Sequence, residues 1–155
     1  MRVMANPMEK PSAVALGHAR PRPVRERIQR EHAELRRRME EIDLILARWE
    51  AGAEGAGLAL RNRGLALFER LRTHIDVEES LLAPILFASE AGAERALQLA
   101  AEHREQHELL TFLRARMNSP RPTELVVREL NNFLAYLRED MAREESMLDL
   151  LDGAG

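Results

Sequence analysis

Four stretches of the chain carry apolar residues at steps of three and four, and each of the four stripes is interrupted by histidine or a carboxylate. The stripes read Val24, Ile28, His32, Leu35, Met39, Ile42, Leu46, Trp49; then Leu67, Leu71, His74, Glu78, Leu81, Ile85; then Leu99, His103, His107, Leu110, Leu113, Met117; and last Val126, Leu130, Phe133, Leu137, Asp140, Glu144, Met147, Leu151. That period is the signature of amphipathic helices, each with one face that must be covered. Breaks at Gly52, Gly55 and Gly57, at Ala91-Gly92, and from Asn118 to Pro122 separate them. The breaks are short, so successive helices are antiparallel neighbours. The predicted fold is all-α: an up-down-up-down antiparallel four-helix bundle over residues 23–152. Residues 1–22 hold Pro7, Pro11, Pro21 and Pro23 without a sustained period and read as a flexible N-terminal arm.

Composition narrows the function. The 155 residues contain no cysteine, which excludes disulfides, thiolate metal ligands and thiol nucleophiles. Net charge is −3, and the arginines of the first helix (Arg25, Arg27, Arg30, Arg36, Arg37, Arg38) alternate with Glu26, Glu31, Glu34, Glu40 and Glu41. The acids cancel any basic stripe, so nucleic acid is not an expected partner. No apolar run is long enough to span a bilayer, no membrane partner is expected, and a cytoplasmic protein is the default. Phosphate-binding glycine loops, nucleophile triads and zinc-ribbon spacings are absent from the sequence.

The polar interruptions are the candidate site. His74 and Glu78 are one turn apart on the second helix, His103 and His107 on the third, and Asp140 and Glu144 on the fourth, while His32 lies on the first. Folding the chain at its turns brings them towards one level. His32 and His74 lie 23 and 19 residues from Gly55, and Glu78 and His103 lie 14 and 11 residues from Gly92. At about 1.5 Å per residue these offsets are no more than about a turn. A lone core histidine is ordinarily satisfied by a backbone carbonyl, but four imidazoles and three carboxylates cannot satisfy one another in a dry interior. A metal ion reconciles them. The segment 74–82, His-Ile-Asp-Val-Glu-Glu-Ser-Leu-Leu, also echoes 140–148, Asp-Met-Ala-Arg-Glu-Glu-Ser-Met-Leu, which suits a quasi-twofold site.

These residues resemble the hemerythrin-like, or HHE cation-binding, domain family over residues 24 to 151. Its pattern is a His on the first helix, His-x-x-x-Glu on the second, His-x-x-x-His on the third, and His-x-x-x-Glu or His-x-x-x-x-Asp on the fourth. His32, His74 with Glu78, His103 with His107, and Glu144 match; Asp140 stands where the family has histidine. Glu145 is an alternative carboxylate if the fourth helix turns. The resemblance implies a non-haem di-iron centre, two oxo- or hydroxo-bridged iron ions with Glu78 and Glu144 bridging and the imidazoles terminal, although another divalent metal can suit such donors. It also implies a small diatomic ligand or peroxide as partner: members carry or sense dioxygen, respond to nitric oxide, take part in iron homeostasis or reduce peroxide. A third carboxylate at Asp140 favours the ferric state, hence turnover of oxygen or peroxide over reversible binding. The alternative is a degenerate or single-metal bundle with a binding, regulatory or iron-homeostasis role.

Overall fold

A computed structural model of the chain describes residues 21–153, with side chains from 22 to 150; of the proposed arm over 1–22, residues 1–20 lie outside the described residues and 21 and 22 belong to the first helix. Four helices, α1 (Pro21–Glu50), α2 (Ala56–Leu86), α3 (Glu90–Arg116) and α4 (Glu124–Gly153), follow one another with no strand among the described residues. α1 packs on α2 and α4, α2 on α3, and α3 meets α4 along the thinnest seam, so the four-helix bundle closes in chain order. No helix among the described residues is long and apolar enough to cross a membrane.

The ends of the helices follow from their local sequence. α1 starts at Pro21, three residues before its apolar stripe, because a proline in the first turn loses no helical hydrogen bond. Gly52 and Gly55, both at φ 75°, turn the chain into α2 through a conformation that a side chain disfavours. α2 runs through Pro84 and stops at Leu86, ahead of the break at Ala91-Gly92. Ser89 is extended, and its side-chain oxygen accepts from the Gly92 amide to open α3. Gly92 is obligatory there: a Cβ would stand 2.0 Å from the Leu86 carbonyl oxygen. Thr123 caps α4, with its hydroxyl accepting from the Val126 amide.

The apolar interior divides in two. A larger cluster gathers Leu35, Met39, Leu67, Leu71, Leu110, Leu130, Leu134 and Leu137, among others. A smaller one at the opposite end holds Val24, Ile28, Leu82, Leu86, Ala96, Leu99 and Leu148. His32, His74, Glu78, His103, Gln106, Asp140 and Glu144 are buried between the two, on all four helices. The bundle is therefore two apolar cores separated by a polar slab. Beyond Glu78 the buried face continues through Leu82 and Leu86, while Leu81 and Ile85 are only partly covered, one residue out of phase with the expected stripe.

Candidate metal centre

His32, His74, Glu78 and Glu144 each present one donor atom, and these atoms lie within 4.8 Å of one another. His32 Nε2 is 3.1 Å from His74 Nε2, 3.2 Å from Glu78 Oε1 and 3.3 Å from Glu144 Oε1. A single N–H cannot serve three acceptors, and Glu144 Oε1 is left buried without a hydrogen bond. Glu78 Oε1 also abuts His74 Nε2, and Glu78 Oε2 is 2.9 Å from His103 Nε2. Donor atoms about 2.0–2.2 Å from a common ion stand roughly 3–4.4 Å apart, so this quartet fits one cation with little adjustment.

The imidazoles share one orientation. Each turns Nε2 inwards and its Nδ1 towards a carboxylate: His32 to Glu145 at 3.0 Å, His74 to Glu31 at 3.4 Å and His103 to Glu79 at 3.3 Å. An Nδ1–H donating to a carboxylate fixes the ring and leaves Nε2 as the free donor, which is how metal-ligating histidines are held. Glu145, considered as a substitute ligand, instead anchors His32 while receiving a forked pair of bonds from Arg36 at 2.6 and 2.9 Å.

Protonation follows from this crowding. Burial and the adjacent Glu78 carboxylate push Glu144 well above the usual carboxylate range, against the His32 bond that opposes the rise. Burial would raise Glu78 too, but hydrogen bonds with Glu144, His103, His32 and His74 outweigh it and hold Glu78 well below that range. Burial pulls His32 down, yet its bonds to Glu144 and Glu78 prevail and lift it to about 10. His103 is raised in the same way by Glu78 and Glu79 against its burial. One proton on the carboxyl pair and extra protons on His32 and His103 balance charge that a cation would otherwise balance.

A model of the hemerythrin HHE cation-binding domain matches residues 24–149 and, in an overlapping alignment, residues 6–86. The chain belongs to the hemerythrin HHE cation-binding family. Comparison with curated proteins and with solved structures gave no match.

Against the HHE pattern the two halves of the centre differ. The α1 and α2 positions, His32, His74 and Glu78, converge with Glu144 of α4. On α3 His103 reaches Glu78, but His107 does not reach the centre. It lines an open trough of about 1190 Å³ between α2 and α3, with Phe68, Arg72, Asp76 and Arg114, and none of the quartet borders that trough. This trough is thus away from the chemistry, and the donor set rather than cavity size locates the site. Gln106 takes the interior position on α3 and donates from Nε2 to Asp140 Oδ2 at 2.6 Å. Asp140 is buried beside the quartet and outside it. Tyr136 is half-buried, with Gln106 and Asp140 as polar neighbours.

Sequence reasoning missed Gln106, Glu31 and Glu79. The signal for Gln106 was available: strict alternation of four and three on α3 runs Leu99, His103, Gln106, Leu110, Leu113, Met117. Glu31 and Glu79 adjoin His32 and Glu78 in sequence, one position off the stripe, where acids also populate the ordinary solvated face.

Proposed function

We propose that this HHE domain is a non-haem iron protein that reacts with or senses dioxygen, peroxide or nitric oxide at the centre formed by His32, His74, Glu78 and Glu144. The observation that carries the reading is the convergence of imidazole Nε2 atoms, each anchored through Nδ1, on a buried carboxylate pair with one oxygen unsatisfied. Imidazole and carboxylate donors without thiolate suit iron, manganese or zinc, and two imidazoles with carboxylates and open positions suit ferrous iron that activates oxygen. Iron held there supplies the electrons that a diatomic oxidant or peroxide accepts.

The protein's own part is access, charge and protons. A cleft of about 70 Å³ on the α3–α4 seam reaches Asp140 and Glu144 past Leu99, Arg143 and Met147. That is about half the roughly 150 Å³ that accepts a benzene ring, which supports a small ligand over an organic substrate. The mouth is mixed, with Leu99 and Met147 set among Arg95, Gln98, Glu102 and Arg143, and Arg143, 3.2 Å from Asp140 Oδ1, offsets that acid at the rim. Without a cation Glu144 and His32 both hold protons, which a bound ion would displace.

Anaerobic loading with ferrous iron, followed by stopped-flow absorbance after mixing with dioxygen, peroxide or nitric oxide, tests this. Bound iron whose spectrum changes within seconds supports it. Protein that retains no iron, or prefers zinc and is indifferent to all three reagents, overturns it. Tightly bound iron without reaction favours the iron-homeostasis or regulatory reading instead.

A further inference from the structure

The geometry points to a centre built for a single ion, in which a Gln106–Asp140–Arg143 chain replaces the second ion that the HHE pattern provides for. The inference rests on the cation-binding reading above. A two-ion centre requires donors on both sides of the Glu78–Glu144 pair. On the α1–α2 side two imidazoles, His32 and His74, supply them, whereas on the α3–α4 side His103 is the one imidazole among the described residues that faces inwards, and it lies outside the converging quartet.

The remaining α3–α4 positions are spent on each other. Asp140 accepts from the Gln106 amide through Oδ2 at 2.6 Å and from Arg143 through Oδ1 at 3.2 Å. The opposite orientation of the Gln106 amide would set its oxygen against a carboxylate, so its donor end is the one that faces Asp140. A second cation beside Asp140 would meet the positive end of that amide and a guanidinium. Both Asp140 oxygens are already paired with protein donors. His107 cannot compensate, because it stands one residue, about 100° of helical phase, away from the buried position that Gln106 occupies.

The test is metal content with the spin state as a second readout. Intact protein is stripped, reloaded anaerobically with ferrous iron, dialysed, analysed for metal, then oxidised for electron paramagnetic resonance. The expected result is about one iron per chain and the signal of an isolated high-spin ferric ion. His107→Ala should leave the metal content unchanged, whereas Gln106→His, which adds an imidazole beside Asp140, should roughly double it and quench the isolated signal by exchange coupling. Two irons per chain in the unmodified protein, or a content halved by His107→Ala, would overturn the single-ion centre. The first two measurements decide the matter even if Gln106→His does not fold. No retained iron in any sample would defeat the cation-binding reading itself, and this inference with it.

Discussion

Replacing Glu144 with glutamine should change the stability of the bundle in opposite directions with and without a cation. In chelator, Glu144 is a buried carboxyl with one oxygen unsatisfied, pressed against the ionised Glu78 and held well above its usual titration range. Such a group costs about 1–3 kcal/mol. A carboxyl whose folded pKa is raised keeps its proton in the fold while the unfolded chain releases it, so stability falls as pH rises above the ordinary value of 4.5. Glu144→Gln mimics the protonated acid at every pH: its amide donates to Glu78 and its oxygen faces His32. In chelator near pH 8 the variant should therefore be about 1–3 kcal/mol more stable, a rise in Tm of roughly 4–10 °C for a domain of this size. The gain should vanish in acid, where the native carboxyl is protonated in both states. With a divalent cation at a thousandfold excess over Kd the native protein gains about 4 kcal/mol, most of which the variant forfeits with its anionic donor. The order of stabilities then inverts. Denaturant titrations in chelator and in saturating cation measure all four values. A variant less stable in both conditions, or one stabilised by cation as much as the native protein, would refute the argument and make Glu144 a structural residue.

Other expectations follow from the same geometry. His32 is raised from 6.5 to about 10, so a cation must displace its extra proton; apparent affinity should climb with pH by up to about tenfold per unit below that value. Calorimetric titrations in buffers of different ionisation enthalpy should register the released protons, and a flat profile with no release would count against the assignment. In the metal-free protein the same proton stabilises the fold fully below pH 6.5 and is lost as pH rises through about 10, an interval equivalent to at most about 5 kcal/mol. Glu31→Gln removes the carboxylate that anchors His74 Nδ1 and should weaken cation binding about 10- to 100-fold with little loss of helix content by circular dichroism. Leu82→Ala, in the smaller apolar cluster, should cost about 2–5 kcal/mol by denaturant unfolding. Gly52→Ala should cost about 1–2 kcal/mol through its φ of 75° while leaving cation affinity unaltered.

The sequence exposes the fold and the deepest part of the centre for one reason. His32, His74, Glu78, His103, Asp140 and Glu144 sit on stripes that are otherwise apolar, and a violation of a strong pattern is easy to see. Legibility fails where a residue obeys a pattern. Glu31 and Glu79 read as part of an acid-rich outer face, and only the packed helices show their carboxylates turned in to the Nδ1 atoms of His74 and His103. Phase is the second obstacle. Adjacent helical positions differ by about 100°, so a stripe interrupted by polar residues fixes its own register poorly. Leu81 and Ile85 were expected in the core where Leu82 and Leu86 lie, and His107 was expected where Gln106 lies. Both errors occur next to the polar slab, where no apolar neighbour constrains the count and where a histidine attracts attention that a glutamine does not. The slab thus conceals its own asymmetry. At His32 and His74, where Glu144 reaches across from α4, a carboxylate oxygen and crowded imidazoles are left that a cation relieves, whereas between α3 and α4 Asp140 is satisfied by Gln106 and Arg143. Unsatisfied polar groups in a core require an external partner, and satisfied ones do not. On that criterion the two halves of this bundle have different requirements, although their sequences, 74–82 and 140–148, echo each other closely.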